Sequence, residues 1–322
     1  MFATFVGRPF SISSKICFLQ IPLDLDDDQL ALPSDELETL VHKLKNDSSS
    51  PMESMNRRFG YTKLSVSILV MREEILQLFL GPPRADVQHV IMDIASRSKR
   101  AWEERPLHSR YDPSLWETLR PVWKCRHLLG IWQEHMYNDF LVQRIMVQQL
   151  HADPEGLSEL AYELLSGTLI LVGPQSGEDI SDLPWTIAYF CLPTAGVLAL
   201  ELLRQVRNRT VLNRTFSRSD VIQQLSVLVS ALGWIVRPGE GNYLLLTQAR
   251  KMLQRILNRV LRFDPVQVPN QVQNDSYAVP DLAGMLANDF AWLDNTDIDT
   301  MFWTNLEDHP LLLPTTESMG AA

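Results

Sequence analysis

Cysteine is scarce in this chain of 322 residues: Cys17, Cys125 and Cys191 are odd in number and far apart. That excludes a disulfide framework, fits a reducing compartment, and leaves no cysteine spacing that spells a zinc site. Enzyme signatures are missing as well. There is no G-x-S-x-G elbow, no phosphate loop ending in Gly-Lys-Ser/Thr, no H-E-x-x-H and no dinucleotide glycine fingerprint, so the chain reads as a non-enzyme without catalytic residues, cofactor or metal. Alternating strand patterns bounded by tight hairpin turns are absent, which makes the expected fold class all-α. Basic residues are absent from one place in particular: from Asp281 to the end there are eight acidic residues and no Lys or Arg. The net charge of -10 speaks against wholesale nucleic-acid binding, because phosphate contacts need a surplus of Lys and Arg.

Charge is segregated along the chain. Residues 23–56 hold nine acids against Lys43 and Lys45, whereas 57–264 hold 25 basic and 21 acidic residues, a net of +4. Composition therefore divides the sequence into an acidic strap and linker (1–56), a helical regulatory domain (57–264), and a linker with an acidic-aromatic C-terminal segment (265–322). Within the middle part, Leu183 to Leu203 carries no charge between Asp182 and Glu201. Its length only just reaches that of a membrane span, Pro193 interrupts it, and it runs on into ELLRQVRNR with a wet face. The expectation is a buried central helix and no membrane partner.

Around that stretch the apolar spacing predicts further helices. One covers Asp35 to Leu44. The next, from about Thr62 to Leu80, sets Leu64, Ile68, Met71, Ile75 and Leu78 on a stripe, and Gly81-Pro82-Pro83 stops it. Another begins at Asp86, carries Val87, Val90, Ile91, Ile94 and Trp102 inward, and ends before Pro106. Asp112-Pro113 and Asp153-Pro154 each read as an N-cap followed by proline at the first helical position. The long helix after Pro121 has two rows, Trp132, Met136, Phe140 and Tyr137, Leu141, Ile145, which make a broad face for several neighbours. GPQSGEDISDLP reads as a loop and RPGEGN as a turn. Between them Asp220 to Trp234 turns Val221, Leu225, Leu228 and Leu232 inward. Finally, Thr247 to Arg262 puts Met252, Ile256, Val260 and Leu253, Leu257, Leu261 on one face and Arg250, Arg255, Arg259 and Arg262 around the other.

Other residues that could carry chemistry read as structural. His127 and His135 lie two turns apart on one helix, too far for one metal ion. Acid pairs such as Glu73-Glu74 and Glu103-Glu104 read as solvated faces, and Trp123, Trp132, Trp185 and Trp234 as core aromatics. The C-terminal stretch DFAWLDNTDIDTMFWTNLEDHPLLL interleaves acids with Trp292, Leu293, Phe302 and Trp303. That is the composition of an amphipathic activation segment, and equally of a terminal helix packed on the domain. Either way, opposite charge is expected to bring it to the face bearing Arg250, Arg255, Arg259 and Arg262. Together these eight residues form the candidate partner-binding set.

In order, VGRPFSI with IPLDLDDDQL, HMYNDFLVQRIM, LPWTIAYFCLPTAGVLALELL, SRSDVIQQLSVLVSALGWIVRPGEGNY with QARKMLQRILNRVL, and WLDNTDID resemble the regulatory (middle homology) domain of fungal zinc-cluster transcription factors. The resemblance covers nearly the whole chain and lies in order and spacing. It implies an all-helical fold, a nuclear location and a role in gene regulation. The family's DNA-binding cysteine cluster has no counterpart in this sequence, so the implied partners are transcriptional proteins, a coactivator or a homologous full-length factor among them. No sequence-specific DNA binding by the chain alone is expected. In the family the Gly-Arg-Pro turn follows several helices, whereas Gly7 here follows Met1 by five residues, so the chain is expected to start inside that domain. The alternative reading is a helical small-molecule-sensing or structural module.

Overall fold

The computed structural model describes residues 13, 27–46, 58–79, 81–82, 84–105, 110–118, 122–173, 182–208, 216–240 and 242–262. Among them no strand occurs; the fold is all-α, as expected. The chain divides into two compact units. One is Arg8–Cys191, and the other combines Met1–Gly7 with Leu192–Ala322.

The first unit holds α1 (Asp27–Leu30), α2 (Ser34–Asn46), α3 (Arg58–Phe79), α4 (Val87–Glu103), α5 (Leu115–Thr118), α6 (Val122–Leu150), α7 (Glu155–Leu169) with a 3-10 turn (Ile170–Val172), and α8 (Leu183–Thr186) with a π-helical turn (Ile187–Cys191). Its organising element is α6, which packs against α3, α4, α5 and α7. The two rows foreseen on this helix explain why: Phe140, Tyr137, Leu141 and Ile145 are all buried, along with Leu128, Leu129 and Ile131. Each fully buried side chain of this size contributes about 1.5–3 kcal/mol. Helices α6 and α7 approach closely at Gly167, where a Cβ would stand 2.5 Å from the Trp132 ring, so any larger residue would push the ring aside.

The starts of α5 and α7 use one device. Asp112 Oδ1 accepts from the Ser114 amide at 2.8 Å, and Asp153 Oδ1 from the Glu155 amide at 3.0 Å. The helices begin at Leu115 and Glu155, three residues after Asp112 and two after Asp153, so both prolines precede the first helical position.

The charge-free stretch is buried as expected. By length and composition Leu183–Gln205 could cross a membrane, yet 67% of its most apolar window is buried. Its π-helical turn immediately precedes Leu192-Pro193. Proline has no N–H to close a helical hydrogen bond, and a π-helical turn is one way a helix accommodates it.

The second unit contains α9 (Leu192–Asn208), α10 (Arg218–Ala231) and α11 (Tyr243–Arg262), each in contact with the other two. A capping box starts α10: Ser217 Oγ accepts from the Asp220 amide at 3.2 Å, and the Ser217 amide donates to Asp220 Oδ2 at 2.8 Å. Val221, Leu225, Leu228 and Leu232 are buried, as their spacing requires. Gly239, at φ +95°, lets RPGEGN turn between α10 and α11. Three expected core residues lie outside: Trp185 is 52% exposed, Trp234 59% and Leu261 61%. Trp185 stands in the first turn of the helical run Leu183–Gln205, and Trp234 just beyond the end of α10. Leu261 stands in the last turn of α11, one residue past the buried Val260.

Candidate functional site

In the first unit the polar chemistry concentrates on one face of α6. Arg72 of α3 is 1% exposed and gives most of its donors to this helix. Its Nη1 pairs with Glu134 Oε2 at 2.6 Å, its Nε donates to Asn138 Oδ1 at 2.6 Å, and further donors reach the Glu134 carbonyl and the Tyr189 hydroxyl. The guanidinium lies 4.9 Å from the Tyr137 ring centre, and Asn138 Nδ2 donates on to the Ile68 carbonyl at 3.0 Å. No buried side-chain N or O of Arg72, Glu134, Asn138 or Tyr189 lacks a partner, so the network locks α3 to α6. Beside it Glu73, expected on a solvated face, is buried and receives hydrogen bonds from Ser13 and Gln77. Glu74 instead pairs with Arg97 of α4 at 2.5 Å.

A second cluster joins a serine, a histidine and an aspartate without forming a nucleophilic relay. Ser98 Oγ donates to Asp139 Oδ1 at 2.9 Å, and His135 Nε2 stands 3.5 Å from Asp139 Oδ2, so the serine points at the carboxylate and not at the imidazole. The His135 ring stacks on Trp102 at 4.2 Å, and Arg105 covers Trp102 at 4.7 Å. Burial, then the charges of Arg105 and Arg72, push the imidazole down to about 3. Burial pushes Asp139 up to about 6 against the lowering effect of the Ser98 hydrogen bond. The imidazole is therefore neutral at physiological pH. Burial, followed by the like charge of Arg110, lowers the Arg105 guanidinium to about 10, and its Nη1 has no hydrogen-bond partner. No group of three or more His, Cys, Asp or Glu that could hold a metal ion stands together among the described residues.

The second unit presents a surface rather than a cleft. The described residues of Leu192–Arg262 include nine Lys and Arg against three acids, Glu201, Asp220 and Glu240. Helix α11 has five of those bases and no acid. Of the four arginines foreseen as one face, Arg255 and Arg262 are exposed while Arg250 and Arg259 are half-buried. Arg250 turns toward the end of α10, its Cζ 3.0 Å from where a Cβ on Gly233 would stand, and its Nε is buried without a partner. The solvated stripe of α11 consists instead of Leu244, Gln248, Lys251, Arg255, Asn258 and Arg262, spaced at three and four residues. Lys251 and Leu244 were missed, although this spacing was the signal that could have found them. At the other end of the unit, Arg218 Nη2 donates to the Val260 carbonyl at 2.7 Å, placing a cation at the C-terminus of α11. Trp292, Leu293, Phe302 and Trp303 lie outside the described residues.

No protein-family model matches the chain, and comparison with curated proteins and with solved structures finds no match to either. The all-α class therefore rests on the fold itself.

Proposed function

We propose that this chain is a regulatory protein of the fungal transcription-factor type, acting in the nucleus on gene expression by binding partner proteins and without a DNA-binding zinc cluster of its own. The observation that carries the reading is the separation of charge: the described residues of Leu192–Arg262 hold nine bases against three acids, and residues 281–322 further along the sequence hold eight acids, no bases and five Phe, Trp and Leu residues in the core stretch Phe290–Trp303. Segments that alternate acids and large apolar residues engage partner proteins through the apolar side chains, while the acids keep them soluble and steer the encounter. The all-helical fold and the ordered resemblance noted in the sequence support the same reading. Fusing residues 281–322 to an unrelated DNA-binding domain and measuring reporter output tests it.

A further inference from the structure

The solvated stripe of α11 carries charge of one sign. It carries Lys251, Arg255 and Arg262 in the open, no acid stands anywhere on the helix, and none of these three bases makes an ion pair among the described residues. Exposed leucines stand at both ends, Leu244 at 50% and Leu261 at 61%. An unpaired basic stripe with apolar ends attracts an acidic chain that also carries large apolar side chains.

From these observations we infer that the stripe is the docking face for the chain's own residues 281–322, which it holds until a partner protein displaces them. This deepens the function proposed above and rests on its assignment of the segment as the partner-facing element.

Charge, reach and concentration favour this occupant. The segment has eight acids and no base to match the stripe. Leu244 and Leu261 are about 26 Å apart along the helix. The chain between Arg262 and Asp281 is 18 residues long, with a maximum span of about 60 Å, so every point on the stripe is within reach. Tethering holds the segment near α11 at an effective concentration on the order of millimolar, which an external polyanion would have to exceed. Surface ion pairs are worth about 0–1 kcal/mol each, so the apolar contacts decide whether docking holds, and the complex stays weak enough to exchange.

Lys251 makes the test specific, because it is the one lysine in residues 192–322. In the full-length protein a water-soluble carbodiimide activates Asp and Glu carboxylates. The Lys251 amine then attacks the activated carbonyl, an amide forms, and the carbodiimide leaves as a urea carrying the former carboxylate oxygen. Mass spectrometry of a mixture of light and heavy-nitrogen protein separates links within a chain from links between chains. The expected result is Lys251 joined, within one chain, to carboxylates between Asp281 and Glu317, with a yield that falls about fivefold in 0.5 M NaCl and again in the exposed-site variant Arg255→Glu with Arg262→Glu. Lys99, also exposed and paired with its neighbour Glu103, serves as the reference amine. Links from Lys251 to the segment no more frequent than those from Lys99, links only between chains, or a yield indifferent to both salt and charge reversal would each overturn the proposal. Loss of coupling would leave reporter activity of the isolated segment untouched, and an inert segment that still couples would overturn the function alone.

Discussion

Replacing Arg72 by Met removes the cation paired with Glu134 in the core of the first unit, and the cost follows from what is left behind. Glu134, with 15% of its side chain exposed, keeps a charge without a counter-charge, while Asn138 Oδ1 and the Glu134 carbonyl lose their donor. Breaking a buried pair from one side costs about 3–5 kcal/mol, a large part of the roughly 5–15 kcal/mol that holds a domain together. Arg72→Lys retains the charge but not the fork that reaches two atoms of Glu134, Asn138 and Tyr189 together, so it falls between parent and Met. The double variant Arg72→Met with Glu134→Met recovers most of the loss, since two apolar side chains need no partner. Hydrogen exchange of the α6 amides, read by mass spectrometry, isolates this unit from the other. A cost below about 1 kcal/mol for Arg72→Met, or a double variant no better than the single, would refute the claim that this network locks α3 to α6.

Two further substitutions probe the core. Leu198→Asp, at a position with no exposure, loses about 2–5 kcal/mol of packing and buries an unpaired carboxylate as well, so circular dichroism should show loss of the cooperative melt; a melt near the parent temperature would show that α9 is not buried. His135 has a folded pKa of about 3, below its ordinary 6.5, so its contribution to stability is present above pH 6.5 and is lost as pH falls toward 3. Asp139, raised to about 6, works in the opposite direction, gaining as pH drops below 6. His135→Phe keeps the stack on Trp102 and removes only the first effect. Its stability relative to the parent should therefore rise by about 2 kcal/mol between pH 7 and pH 5, and an unchanged difference would show that the imidazole is not buried neutral.

The sequence made the helices legible wherever an apolar row repeats every three to four residues: in the rows of α6 all but the half-buried Trp132 are buried, as are the four inward residues of α10. It also located the charge-free stretch correctly, although α6 is the element that the first unit is built around. What spacing could not reveal was the polar core. Arg72 and Glu73 stand in MREEILQLF as ordinary helix-surface charges, and only Asn138, Glu134 and Tyr189, separated from Arg72 by 62 to 117 residues, make burial of the guanidinium tolerable. Trp185 and Trp234 show the converse: they stand in the first turn of α8 and just past the end of α10, where too few turns precede or follow for apolar spacing to show which side faces the core, and both are more than half exposed. In the candidate surface, counting arginines found α11 but not the orientation of Arg250. That is set by the bend after α10, where Gly233 leaves room for the guanidinium.

The proposed role is tested most directly by the activity of the acidic segment. Residues 281–322, fused to an unrelated DNA-binding domain in fungal cells, should raise reporter output above that of the DNA-binding domain alone. Trp292→Ala with Trp303→Ala should return it to background, because the aromatic side chains supply the contact area that the acids cannot. A silent segment, or an active one indifferent to the loss of both tryptophans, would contradict the assignment of this chain as a partner-binding regulator of transcription.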